Sequence, residues 1–257
     1  MQLAVLAALL LPVCAALAHR YRRLICGFYR RRLLPWLGGP SPEERILRHV
    51  RTEARHGTPD RVLSAIEEWC RRVHPVTDTD PGKARFLDGV VLRTAPLHAL
   101  LVGAHCGYSA IRLARLLAPG AILVAVEPDP RAAEIVEEMI LLGGINHSQF
   151  RVLSGSPAEA IAHCRSALEV SSVQLAVLTQ GRGCDCVRDL RSLEQASLLA
   201  AGSLVLADCL TSSGASCFLA SIRPGPLYTV SSQRRLDGIA TDRMVELTVN
   251  CPAQELL

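Results

Sequence analysis

At 257 residues, 49% of them hydrophobic but only 4% aromatic, the chain is long enough to bury one large aliphatic core, alone or with an added anchor. The net charge of +4 is mild, and Lys83 is the single lysine among 28 basic side chains, a bias that reads as genome composition rather than as the mark of a partner. A basic stripe interleaved with stacking aromatics is missing, which argues against nucleic-acid binding, and the ten scattered cysteines contain no C-x-x-C pair, which argues against a zinc site or a disulfide framework and for buried free thiols.

Residues Leu3 to Ala18 are almost entirely apolar, with Pro12 near the middle, and arginines follow at 20, 22, 23, 30, 31 and 32. The run falls slightly short of the roughly 20 residues that usually span a bilayer, a shortfall that local thinning accommodates. Ala16-Leu17-Ala18 also offers a small-residue cleavage site, so a secretory signal peptide stays open beside an uncleaved anchor. The basic residues lie after the apolar run rather than before it, which favours the anchor and keeps the following domain on the cytosolic side. Arg20 to Trp36, basic and carrying Tyr21, Phe28 and Tyr29, is then expected along the headgroups. Residues 1–37 are read as anchor and juxtamembrane segment, residues 38–257 as the folded domain.

Gly38 to Pro42 reads as a linker, followed by helices over Glu43 to Arg55, Asp60 to Val73 with Asp60 as N-cap, and Lys83 to Arg93. The stretch from Leu97 to Pro130 organises the rest. Leu97 to Val102 is a strand broken by Gly103; a second glycine stands at 107; and Ser109 to Ala118 is a helix with Ile111, Leu113, Ala114 and Leu117 on its apolar side and Arg112 and Arg115 facing the other way. Ala121 to Val126 is the next strand and ends in Glu127, a carboxylate at the strand end where open α/β sheets bind ligands. Glycines permit close approach of backbone to ligand, and Glu127 suits the two hydroxyls of a ribose. The spacing is G-x-x-x-G, not the G-x-G-x-x-G of dinucleotide sites. Beyond it, Asp129-Pro130 opens a helix to Gly143, Phe150 to Leu153 is a strand, Ser156-Pro157 with Glu159 resembles a capping box, Val173 to Leu178 is a buried strand, Asp189 to Ala201 a helix, and Ser203 to Ala207 a strand ending at Asp208. The alternation predicts an α/β fold with a mostly parallel sheet, closed by an antiparallel pair at Tyr228 to Gln233 and Met244 to Val249.

The string GAHCGYSAIRLARLL, with SPEERILRHV before it and VAVEPDP, SLLAAGSLVLAD and SSGASCFL after it, resembles the catechol O-methyltransferase family from about Glu43 to Val249. The short apolar amino terminus is most similar to the transmembrane, hearing-linked branch of that family. The resemblance implies a Rossmann-like class I methyltransferase with a seven-stranded sheet, helices on both faces and an N-terminal membrane helix. It also implies S-adenosylmethionine as cofactor, with Gly103, Ala104, His105 and Ser109 at the methionine end, Glu127 on the ribose and Ser156 beside the adenine.

Several positions depart from the family pattern: Leu101 replaces a glutamate, His105 a tyrosine, and Pro157-Ala158 polar residues near the adenine. Of the three side-chain ligands that the family gives magnesium only Asp208 remains, since Thr179 replaces an aspartate and Cys209 an asparagine. Cysteine is a soft ligand ill matched to magnesium. Arg182 stands at the catalytic lysine position and stays protonated, so it is no general base; the acceptor-binding carboxylate aligns with Arg234 or Arg235. Two readings follow. One is a membrane-anchored, catechol-type O-methyltransferase of the endoplasmic reticulum acting in catecholamine metabolism, with a vestigial metal site at Asp208, Arg182 stabilising a phenolate and His105 as base. The other is a non-catalytic relative serving as partner or trafficking factor for a membrane protein, such as a mechanotransduction channel subunit in hearing.

Overall fold

The computed structural model describes residues 39–73, 79, 81–167, 171–179, 185–210, 218–222, 227–235 and 243–251. The predicted anchor lies outside them, and no helix among the described residues is long and apolar enough to cross a membrane. The chain divides into two compact units, Met1–Ile46 and Leu47–Leu257. In the first, Ser41 caps helix α1 (Pro42–Glu53): its Oγ accepts from Glu44 N at 3.1 Å, and Glu44 Oε2 accepts from Ser41 N at 2.8 Å. This reciprocal box turns the end of the expected linker into a helix start.

The second unit continues with α2 (Pro59–Val73) and α3 (Pro81–Thr94). Asp60 is not the cap of α2 but lies in its first turn, where Thr58 O accepts from Arg61 N and Val62 N. Pro59, with fixed φ and no N–H to satisfy, takes the first helical position. The alternating part follows as β1 (His98–Val102), α4 (Tyr108–Ala114), β2 (Ile122–Glu127), α5 (Pro130–Leu142), β3 (Phe150–Ser154), α6 (Pro157–Ala167), β4 (Val173–Thr179), α7 (Cys186–Gln195), β5 (Leu199–Leu210), β6 (Tyr228–Arg235) and β7 (Arg243–Val249). The sheet has seven strands in the order β3-β2-β1-β4-β5-β7-β6. Pairs among β1 to β5 are parallel, and β7 runs antiparallel to both β5 and β6, so the expected antiparallel closure is observed.

Both faces of the central strands are covered. Leu100, Val102, Val124, Val126, Ala176, Leu178, Val205 and Ala207 form one cluster with Ile161 and Cys164 of α6 and Leu190 and Leu193 of α7. Alternation sends Leu101, Leu123, Ala125 and Val177 to the opposite face, toward Ile111 of α4 and Val136 and Met139 of α5, all buried. Burial on two faces is why these strands read as continuous apolar runs.

Helix bounds differ from expectation most in α7 and α4. Helix α7 starts three residues early because Asp185 accepts from Val187 N at 3.0 Å and Arg188 N at 3.4 Å, and it stops at Gln195. The alanine-rich residues after it pattern as helix, yet Leu199 pairs with Val173 and Ser203 Oγ donates to Val173 O at 2.7 Å, so sheet pairing overrides propensity. Helix α4 is shorter than predicted, because past Arg115 the bonds tighten to Leu116 N–Leu113 O and Leu117 N–Ala114 O, a 3₁₀-type ending. Cys70, Cys106 and Cys164 are buried free thiols, as expected, with burial pushing the Cys164 thiol up to about 11. Cys186 departs from that expectation, being disulfide-bonded.

Candidate active site

The site is built where β1, β2, β4 and β5 end. Strand order reverses beside β1, whose neighbours are β2 and β4, and such a switch point opens a crevice at the carboxyl ends of the strands. Into it runs the loop from Gly103 to Gly107. Its backbone is left-handed at Gly103, His105 and Gly107, with φ of 88°, 54° and 85°. A Cβ at Gly107 would stand 3.0 Å from Met139 Cβ, so glycine there answers both the dihedral and the contact with α5.

Glu127 braces this loop. Gly103 N donates to Val126 O at 2.9 Å, and the next N–H but one, that of His105, donates to Glu127 Oε2 at 2.7 Å; Asp129 N donates to Oε1 at 3.3 Å. These take two of about four acceptor positions on a carboxylate that is only 4% exposed. The side chain predicted to meet a ribose thus also holds the loop in shape, a role invisible in the glycine spacing.

Beneath the loop, α4 is buried along its length, and Arg112 and Arg115 do not face solvent as its amphipathic pattern predicts. Tyr108 donates to Glu67 Oε1 at 2.6 Å, Arg112 donates to Tyr108 Oη at 3.1 Å and to Asp88 Oδ2 at 2.5 Å, and Arg115 reaches the same Asp88 oxygen at 2.6 Å. Burial first, then the bond to Glu67, pushes the Tyr108 phenol well above its ordinary range. The polar side of α4 meets the ionic faces of α2 and α3, so the loop is carried on a helix fixed from both sides.

The remaining predicted residues fall as follows. Ala104 and Ser109 are buried, in the loop and in the first turn of α4. Leu101 is wholly enclosed in the core. Ser156 caps α6, its Oγ accepting from Glu159 N at 3.4 Å and donating to Glu159 Oε2 at 2.7 Å, so the predicted capping box is realised only in its N-cap half, with the Glu159 carboxylate on the hydroxyl rather than on Ser156 N. Arg182 lies outside the described residues, as do the side chains of Cys209, Arg234 and Arg235.

Where the family resemblance implies a magnesium site, the described residues do not fit that ion. Thr179 Oγ1 is turned inward, donating to Val102 O at 3.0 Å and also meeting Gly103 O, so it ties β4 to β1 across the switch point. Asp208, in register with Thr179, has its Oδ2 against Lys83 Nζ, and both side chains are 7% exposed. No group of three potential His, Cys, Asp or Glu ligands occurs among the described residues. An ion that favours carboxylate oxygen is offered a neutral hydroxyl turned toward carbonyls and a single carboxylate already paired with an ammonium. Lys83 was missed as a site residue; its signal was its singularity in an arginine-rich chain.

Comparison with solved structures defines the class. The fold matches an O-methyltransferase from Bacillus cereus in complex with SAH (TM-score 0.59, 19% identity, 75% of this chain and 90% of that one) and one from Streptomyces achromogenes, involved in tomaymycin synthesis, in complex with SAM (TM-score 0.59, 18% identity, 74% and 89%). This is the Rossmann-like O-methyltransferase fold. Among curated proteins, the chain is 35% identical over 213 residues to the transmembrane O-methyltransferase of Homo sapiens, covering 81% of this chain and 73% of that protein, and 34% identical over 187 residues to the catechol O-methyltransferase of Mus musculus, covering 73% and 70%. It belongs to the catechol O-methyltransferase family, within which its similarity to the transmembrane O-methyltransferases is marked. No family profile matches the chain.

Proposed function

We propose that the chain is an S-adenosylmethionine-dependent O-methyltransferase of catechol type, held by residues 1–37 on the cytosolic face of the endoplasmic reticulum membrane, whose site works without magnesium. The observation that carries this reading is the glycine loop braced on Glu127 at the switch point, in a chain of this family. When bound, S-adenosylmethionine supplies a methyl group on a sulfonium centre. The loop backbone from Gly103 to His105 with Ser109 would hold its methionine end, Glu127 would receive its ribose hydroxyls beside the main-chain bonds it already accepts, and Ser156 would lie on the adenine side. His105 takes the proton from the acceptor hydroxyl, and stabilising the oxyanion so formed is the role that the family resemblance implies for Arg182.

Calorimetric titration of the full chain with S-adenosylmethionine, with and without magnesium, tests this. Saturable binding that ignores magnesium is the expected result; no binding in either condition overturns the reading. For the anchor, the protein should pellet with membranes, resist alkaline extraction and expose its domain to protease from the cytosolic side. A mature form beginning at His19 in the medium would instead establish a cleaved signal peptide.

The commitment of Thr179 and Asp208 to internal partners favours a second reading, in which the fold serves as partner or trafficking factor for a membrane channel protein. Binding of cofactor without methyl transfer to any phenolic acceptor would put that reading ahead.

A further inference from the structure

We infer that the ammonium of Lys83 is the resident cation of this site, standing at Asp208 in place of a divalent metal ion. Three observations on different elements converge on this. Lys83 sits in the first turn of α3, which packs on β4, and its residue is 5% exposed, although lysine is among the side chains least often buried. Its Nζ meets Oδ2 of Asp208, equally enclosed. The neighbouring strand end offers an incoming ion no carboxylate, only the neutral Thr179 hydroxyl, whose proton is turned to Val102 O and Gly103 O.

The choice of side chain is informative. Every other basic residue of the chain is arginine, so the ordinary way this sequence places a positive charge is a guanidinium. At this buried position it has the one compact point charge available, a single nitrogen with three donors. A buried ionised carboxylate is costly unless a partner compensates its charge. Lys83 supplies the compensating charge for Asp208 from within the chain, where a metal-dependent site takes it from solution. The consequence reaches binding as well as charge: a fixed ammonium has no open coordination positions and cannot chelate two adjacent oxygens.

The metal arm of the test is independent of catalysis and of cofactor. Full-length protein in detergent is titrated with manganese, followed by the electron paramagnetic resonance signal of the free ion and by thermal unfolding. The parent should show no saturable binding and an unchanged Tm. Lys83→Ala, which leaves Asp208 without its ammonium, should gain a manganese-dependent Tm, rising about 3 to 6 °C at a concentration about tenfold above the dissociation constant, and Lys83→Ala with Asp208→Asn should lose that response. Saturable manganese binding by the parent that Asp208→Asn abolishes would overturn the inference, and that arm needs no lysine variant to fold. A folded Lys83→Ala protein indifferent to manganese would overturn it too. Failure of the parent to bind S-adenosylmethionine would sink the proposed function and leave this result standing.

Discussion

Glu127 has two jobs that substitution can separate. Removing the carboxylate leaves the His105 N–H without its acceptor and takes away the ribose partner, so Glu127→Ala should lower stability by about 1 to 3 kcal/mol and weaken S-adenosylmethionine binding roughly tenfold or more. Glu127→Gln keeps one carbonyl oxygen for the loop and should recover much of the stability but less of the affinity. Calorimetry and thermal melts on the three proteins separate the effects; equal affinity in all three would remove Glu127 from the cofactor site. Asp189 makes a second prediction. Its side chain is 1% exposed, Oδ1 has no hydrogen-bond partner, and Oδ2 accepts from Asp185 N at 3.1 Å. Burial pushes its carboxyl up to about 6. The folded protein therefore keeps a proton that the unfolded chain has released above about pH 4, and this group's contribution falls as pH rises from about 4 to about 6. Asp189→Asn should stabilise the protein at pH 7 relative to pH 4.5 by roughly 1 to 3 kcal/mol compared with the parent, read from denaturant melts at the two values. A pH-independent difference would show that the carboxylate is solvated.

Among the elements, α5 is the cleanest case of a helix dictated locally. Asp129 accepts from Arg131 N at 3.0 Å, Pro130 follows it at the first helical position, and the buried face repeats at Ala132, Ile135, Val136, Met139 and Ile140. Asp129→Ala should cost about 1 kcal/mol in a chemical melt, and Asp129→Ser much less; an unchanged midpoint would mean that packing alone fixes the helix start. Such elements were legible because caps and periodicity agree. The central strands were legible for another reason, that burial on both faces leaves an unbroken apolar run. The end of α7 was not, because the alanines before β5 carry a helix signal that only the distant partner Val173 overrides. Nor was the environment of Arg112, since an arginine opposite an apolar stripe reads as solvent-facing until Asp88 and Tyr108 are brought against it. The site divides in the same way: Gly103, Gly107 and Glu127 are close in sequence and were found together, whereas the Lys83 and Asp208 contact joins a helix that precedes the sheet to its fifth strand.

At the scale of the molecule, a chain with one lysine, and that one enclosed against an aspartate, presents its surroundings with an unusual chemical face. Lysine acetylation, lysine methylation and conjugation of ubiquitin to lysine all begin at the side-chain amine. In the native domain no exposed lysine exists for them, so such a mark can be written only after α3 has parted from β5. A surveillance system that tags by lysine would therefore read folding itself, ignoring intact copies and finding its handle in opened ones. Acylation of Lys83 by a small amine-directed reagent, followed by peptide mass spectrometry, should proceed no faster than the most protected core amides exchange and should accelerate with each increment of denaturant. Rapid labelling under native conditions would mean that this corner of the domain opens on its own, leaving the lysine available to be marked throughout the life of the folded protein.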